Sequence, residues 1–401
     1  MGFELVRARA RRVRSVGVAG VTQRLAQKAY QRTSAADLRF NLAFDDILAD
    51  IPSALPTPAV RPSRSNSLTI GWVCTPPAPG SGGHTTLFRM VEALEARGHS
   101  CVLYLYDKHG LDTEASAGVI RRNWPRVRAK VADVTEGIVG VDAVIASGWE
   151  SAHLIVKYAT EPVRRLYFMQ DYEPYFYAHG AEHELAAMTY RLPFRRIALG
   201  EMLDGMVHSA TGLDSDVVPF GCDSSAYGPP PVGTRRHGIV FFCRPEFPRR
   251  GYELAALALA LFHKRCPEQE IHIYGAPPRG LPIDYTFHGR LSTDDLNALY
   301  GRTIAGLAMS FTNITLVAEE MLAAGNIPVL NDMSLARRVL PNPFVKWAAP
   351  TAAAIADALV AAVSETDIDT VAAKAAQSVT GRSWVPTQEA VVRIVEQEVY
   401  G

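Results

Sequence analysis

Three arginines, Arg244, Arg249 and Arg250, crowd one short turn, CRPEFPRRG (243–251), between an apolar run and a helical pattern. Guanidinium forks beside a free helix N-terminus make a site for a di-anion such as a pyrophosphate, and they need no metal to hold it. A second loop, Pro79-Gly80-Ser81-Gly82-Gly83-His84, also joins an apolar run to a helical pattern. Gly82 and Gly83 let a ligand approach the backbone, while His84 at the helix entrance suits a base, a hydroxyl partner or a cap. The loop fits neither G-x-G-x-x-G nor the P-loop, because no Lys-Ser/Thr follows it. Glu319 and Glu320 open a third helix, where a carboxylate either meets ribose hydroxyls or compensates the helix dipole. Asp171 and Glu173 follow another apolar run and could orient a second substrate. Tyr172, Tyr175, Phe176 and Tyr177 beside them either stack on a ligand's C–H face or pack on their own domain.

The elements that must position these groups alternate along the chain. Short apolar runs at 68–74, 101–106, 142–148, 164–171 and 196–200 are separated by helical stretches, the first at 85–99. After the break GPPPVG (228–233) the pattern restarts, with strands expected at 238–244, 270–275, 284–289, 303–309 and 327–332. Helices are expected at 251–265, 292–301, 315–324, 351–364 and 386–399. Such alternation implies an α/β protein with two doubly wound parallel sheets, and ligands then meet the carboxyl ends of the strands in the cleft between them. The expected division is an N-terminal extension and Pro-rich linker (1–66), a first Rossmann-like domain (67–228), a second (229–383) and a final helix crossing back (384–401).

Length and composition agree with this plan. The chain has 401 residues, 48% of them hydrophobic and 20% charged, with 41 basic and 41 acidic side chains. That balance argues against a dedicated nucleic-acid binder. It conceals an asymmetry, because residues 1–32 carry seven arginines and Lys28 against Glu4 alone, a net of +7. This basic, weakly amphipathic segment is expected to be helical and to lie on an anionic membrane surface, each cation near the headgroups contributing about 1 kcal/mol. A solvated tail or an Arg-rich transit peptide are the alternatives. Five cysteines without a C-x-x-C pair favour a reducing compartment over a disulfide framework or zinc site. Neither a membrane-spanning run nor a secretory h-region is visible, so a cytoplasmic, peripheral protein on the inner face of the plasma membrane is expected.

Four segments together resemble one family. Val217-Val218-Pro219-Phe220-Gly221-Cys222-Asp223 through Tyr227 is similar to the hinge signature V-I-P-N-G-V-D of family 4 glycosyltransferases. CRPEFPRRG resembles their G-R-x(3–4)-K-G motif, FHGRLSTDDLNALY (287–300) their F-x-G strand and helix, and EMLAAGNIPVL (320–330) their E-A-M-A-x-G-x-P-V-V. Order and spacing match over roughly 68–400, including Ser383-Trp384 before the last helix. Residues 167–174 (YFMQDYEP) are similar to a segment of the WsaF-like rhamnosyltransferase branch.

The resemblance implies a GT-B fold, a nucleotide-sugar donor on the second domain and retaining transfer to a glycan or lipid-linked acceptor. Position by position, Arg244 matches the phosphate-binding arginine, and either Arg249 or Arg250 matches the lysine. Glu320 matches the ribose-contacting glutamate, and Gly289, Thr312, Asn313 and Thr315 complete the expected donor set. Gly82, Gly83, His84, Gln170, Asp171, Tyr172 and Glu173 form the expected acceptor set, with Arg244, Asp171 and His84 as the catalytic candidates. The first glutamate of the family's E-x7-E pattern is replaced here by Thr312, which fits a deoxysugar such as the rhamnose of dTDP-rhamnose. No well-placed carboxylate pair for double displacement is evident, so front-face attack is expected, the leaving phosphate taking the acceptor proton. Asp214-Ser215-Asp216 and Asp367-Ile368-Asp369 have the cation-binding Asp-x-Asp spacing, yet neither falls on a strand end facing the cleft, so no metal or other cofactor is expected. A nucleotide-sugar epimerase of the same fold, or a catalytically silent glycan- or partner-binding subunit, are the rival readings.

Overall fold

The computed structural model describes residues 41–60, 67–223, 226–313, 316–333 and 335–401. The basic segment 1–32 and Thr315 therefore lie outside the described residues. Two parallel sheets organise the chain, with helices on both faces of each.

The first sheet contains β1 (Thr69–Cys74), β2 (Ser100–Leu105), β3 (Lys130–Asp133), β4 (Ala143–Ala146), β5 (Arg164–Met169), β6 (Arg195–Leu199) and β7 (Asp216–Val218). Their order is β3-β2-β1-β4-β5-β6-β7. The central strands are apolar throughout because helices cover both faces, so alternation has no solvent side to follow. Trp72, Phe168 and Ile145 are fully buried toward one face and Val73, Val144 and Tyr167 toward the other. Burying each such side chain is worth about 1.5–3 kcal/mol, which makes the sheet a rigid platform for the loops at its end.

The second sheet holds β8 (Ile239–Cys243), β9 (Ile271–Gly275), β10 (Thr286–Phe287), β11 (Ala305–Leu307), β12 (Ile327–Asn331) and β13 (Lys346–Ala348), in the order β10-β9-β8-β11-β12-β13. Helix Tyr252–Arg265 packs beside helix Ala352–Val363 on one face through Ala255, Leu259, Ile355 and Leu359. The run 284–289 forms only the two-residue edge strand β10. Pro282 and Gly280 before it, Gly289 after it and exposure on one side leave little ladder to extend.

The final helix, Val385–Tyr400, returns to the first sheet, where Val391, Ile394 and Val395 share a core with Trp72 and Leu94. Trp384 precedes it and lies directly on Gly221, where an added Cβ would come within 2.5 Å of the indole. Only glycine admits that contact, which ties the hinge-like segment to the returning helix. All five cysteines are buried free thiols. Among the described residues, no helix is long and apolar enough to cross a membrane.

Candidate active site between the lobes

In an open parallel sheet the crevice forms where strand order reverses, because the loops on either side leave in opposite directions. The first sheet reverses between β1 and β4 and the second between β8 and β11. The loops leaving these four strands begin at residues 75, 147, 244 and 308. The arginine turn and the Gly-rich loop thus reach the cleft by topology alone, on opposite lobes.

On the second lobe, Pro248–Arg250 makes one 3-10 turn and Gly251 opens helix Tyr252–Arg265. Gly251 has φ +58°, and a Cβ there would stand 2.7 Å from the Phe311 ring. Glycine is required on both counts. No side chain caps this helix, so its first N–H groups are left for a ligand or solvent. The Arg250 guanidinium donates to Ser310 Oγ (3.2 Å), and Arg249 stacks over Phe247 at 4.7 Å. Burial pulls both guanidinium pKa values down and Asp171 pulls them back up, while Arg244 disfavours the charge on both and Arg249 that on Arg250. Half-buried cations this close together favour an anion between them. Arg244 is more open, donating to Glu246 Oε1 (2.7 Å) and lying over Phe247 at 4.8 Å. Its charge is felt by Arg249 and Arg250, so the three form one electropositive cluster.

The opposite lobe supplies Asp171, which follows β5. Burial raises its carboxyl pKa, while Arg250, Arg249 and the Thr312 hydroxyl lower it. Thr312 is fully buried, and its hydroxyl makes no well-aligned hydrogen bond among the described residues. The lobes also touch directly. Asn313 Nδ2 donates to the Gln170 carbonyl (2.8 Å), and the Arg249 guanidinium sits 4.0 Å from the centre of the Phe176 ring. Gln170 in turn donates to the Gly83 carbonyl (3.2 Å), which joins the Gly-rich loop to this contact.

Glu173 begins the turn Glu173–Phe176. Its Oε2 accepts from the Trp149 N–H (2.6 Å) at the start of helix Trp149–Tyr158 and from the Tyr167 hydroxyl (3.1 Å). Glu150 shares this corner, since both carboxylates flank Gly148, at 3.2 Å and 3.5 Å from where its Cβ would stand. Burial, then the neighbouring carboxylate, drives the Glu173 pKa well above the carboxylate range; burial likewise raises Glu150. Two like charges in one dry corner favour retention of a proton there. Glu150 and Glu173 thus form a carboxylate pair that motif spacing alone does not reveal. Gly148-Trp149-Glu150 was hidden because a strand was expected to run to 148, whereas β4 stops at Ala146. Ser147-Gly148 after a central strand, with Glu150 two residues on, was the available signal. Tyr172 is buried beneath Tyr175 (4.8 Å between ring centres) and Tyr190 (5.5 Å), so it supports the turn and presents no face to a ligand.

His84 is held at both ring nitrogens. Nε2 lies 3.0 Å from the Thr75 carbonyl and must donate to it, so Nδ1 accepts from the Ser81 hydroxyl at 2.8 Å. Burial lowers its pKa, so the ring is neutral and fixes the Gly-rich loop. With both nitrogens engaged, the ring anchors the Gly-rich loop in this geometry. Gly82 and Gly83 are exposed in the first turn of helix Gly82–Ala96.

Glu320 sits near the hinge. Burial raises its pKa to about 7 against the opposing pull of Arg89 and the Tyr227 hydroxyl. Glu319 is engaged elsewhere, in an ion pair with Arg382 (2.7 Å). Gly289 has φ +65° and accepts from the Gly275 N–H (2.8 Å), which fixes the chain beyond β10. The Asp-x-Asp residues are occupied: Asp216 pairs with Arg195, Asp214 with His208, and Asp367 caps helix Ile368–Gln377.

Solved structures of similar shape can be set beside this geometry. Alr3699/HepE of Anabaena, crystallised with UDP-glucose, superposes with a TM-score of 0.63 at 15% identity, covering 82% of this chain and 100% of that one. Sucrose-phosphate synthase of Thermosynechococcus elongatus gives 0.59 at 14% identity, covering 82% and 98%. TarM of S. aureus, with UDP and α-GlcNAc-glycerol bound, gives 0.63 at 8% identity, covering 83% and 100%. The chain has the GT-B fold. No family model matches it. In sequence it is 30% identical over 285 residues to the O-antigen biosynthesis protein RfbC of Myxococcus xanthus, which covers 66% of this chain. The chain spans about a fifth of that relative's length, 21%.

Proposed function

We propose that this GT-B chain is a glycosyltransferase of glycan biosynthesis that moves a sugar from a nucleoside diphosphate to an acceptor hydroxyl, with retention and without a metal. The observation that carries the reading is the pair of half-buried guanidiniums, Arg249 and Arg250, at an uncapped helix N-terminus facing Asp171 across the cleft. When the sugar–phosphate bond breaks, its electron pair moves to the diphosphate oxygen. Fixed cations stabilise that developing charge more strongly here than in water, because the site is already organised and partly dry. The acceptor oxygen attacks the same sugar face, and its proton passes to the departing phosphate oxygen. Glu150 and Glu173 orient the acceptor hydroxyl from the other lobe.

Rhamnose from dTDP-rhamnose is the proposed donor, and a glycan or lipid-linked glycan the acceptor. Thr312 in place of a carboxylate supports a deoxysugar, and Asp171 beside it supplies an acidic group from the opposite lobe. Similarity to an O-antigen biosynthesis protein supports an envelope glycan as product. Residues 1–32 carry the protein to the inner, anionic face of the plasma membrane in this proposal.

Incubating the full chain with a panel of labelled nucleotide sugars tests the reading. Acceptor-dependent release of nucleoside diphosphate, undiminished by a chelator, is expected. Interconversion of sugars without acceptor would point instead to an epimerase, and binding without turnover to a silent subunit. Removing residues 1–32 is expected to abolish co-sedimentation with anionic vesicles while leaving transfer to a soluble acceptor intact.

A further inference from the structure

Eleven histidines occur in the chain, and three side chains at one corner of the first lobe converge on a single point. His179 lies just before helix Ala181–Thr189, and His183 and Glu184 stand in its first turn. His179 Nε2 is 3.2 Å and His183 Nδ1 3.1 Å from the same oxygen, Glu184 Oε1. The three atoms all lie within 4.8 Å of one another. The imidazole rings meet edge to face, at 4.9 Å and 88°, so their nitrogens are free to aim at a common centre.

We propose that His179, His183 and Glu184 bind one borderline divalent cation of the Zn²⁺ type. Ions of this class take imidazole nitrogen at about 2.0–2.1 Å and carboxylate oxygen at about 2.0–2.2 Å in a tetrahedron. Neighbouring vertices are then about 3.4 Å apart, close to the two nitrogen–oxygen separations present before any ion enters. The nitrogen-rich donor set disfavours Mg²⁺ and Ca²⁺, which take oxygen. Three protein ligands leave one vertex for water. His183 is 18% exposed at its side chain and is the anchored ligand, whereas His179 and Glu184, at 84% and 65%, close onto the ion.

Ring contacts run from this corner to the turn Glu173–Phe176. The His183 ring lies parallel to Tyr175 at 6.4 Å, and Tyr175 packs edge to face on Tyr172 next to Glu173. This site stands apart from the diphosphate site, so it does not depend on the glycosyl-transfer reading. An internal contrast is provided by His272 and His288, whose nitrogens approach to 3.1 Å. There Glu270 faces the other nitrogen of His272, so the three donors diverge and no common ion is served.

Titrating chelator-stripped full chain with Co²⁺ and then Zn²⁺ tests the proposal without an activity assay. One Co²⁺ per chain is expected, with visible absorption of a four-coordinate site that Zn²⁺ displaces, and a raised melting temperature with Zn²⁺. His179→Ala and His183→Ala are expected to remove the band, and His272→Ala to keep it. Because His179 is exposed, its variant retains the fold, which circular dichroism verifies. A Co²⁺ band that survives in His179→Ala, or absence of saturable binding to the wild-type chain, would overturn the site.

Discussion

Glu320 is the residue whose protonation most directly couples pH to the site. Its pKa of about 7 arises from burial, so the neutral form is favoured in the free protein. The raised value means that its contribution to stability is complete below the ordinary glutamate range and is lost as pH rises through about 7. Ribose hydroxyls donate to the ionised form and not to a neutral acid used as donor elsewhere. Nucleoside diphosphate affinity is therefore expected to rise between pH 6 and 8, and Glu320→Gln to flatten that rise, as read by calorimetric titration at several pH values. Affinity that falls over this range in the wild type would remove Glu320 from the ribose site. Asp171 gives a second residue-scale expectation. As a carboxylate facing Arg249 and Arg250 it competes with an incoming phosphate, so Asp171→Asn is expected to bind nucleoside diphosphate more tightly while transferring sugar more slowly. Weaker binding in that variant would place Asp171 outside the anion's reach.

At the scale of elements, the arginine turn depends on Gly251. An alanine there adopts φ +58° and drives its Cβ toward Phe311 at 2.7 Å, whereas at Gly289 the φ of +65° is similar but an added Cβ meets nothing within 4 Å. The backbone strain is common to both, about 1–3 kcal/mol, so the difference isolates the collision. Gly251→Ala is expected to lower the melting temperature more than Gly289→Ala, and to weaken nucleotide binding as the helix start shifts. Equal losses would show that Phe311 moves aside freely. These elements were legible to different degrees in the sequence. Continuous apolar runs such as 68–74 and 327–332 announced buried parallel strands within a residue or two of their ends. The edge strands β3, β7 and β13 escaped because Lys130–Asp133, Asp216–Val218 and Lys346–Ala348 are three or four residues long and carry charges toward solvent. For the candidate site, motif spacing singled out Arg249, Arg250 and Glu320. It could not show that His84 spends both nitrogens on its own loop, nor that Glu150 meets Glu173, since those facts depend on contacts between segments distant in sequence.

At the scale of the whole molecule, the proposed function places a diphosphate on the second lobe where it meets the first. Arg249 against Phe176 and Asn313 against the Gln170 carbonyl bridge the lobes, so the proposed donor site is coupled to lobe geometry. The central claim is that the guanidiniums of the second lobe grip a nucleoside diphosphate. Isothermal titration of UDP and dTDP into the wild-type chain and into Arg250→Ala, with the fold checked by circular dichroism, tests it most directly. A charge-assisted hydrogen bond to phosphate is worth about 1.5–3 kcal/mol, so binding is expected to weaken by about 10- to 100-fold. A folded Arg250→Ala protein that binds both nucleotides as tightly as the wild type would contradict the account.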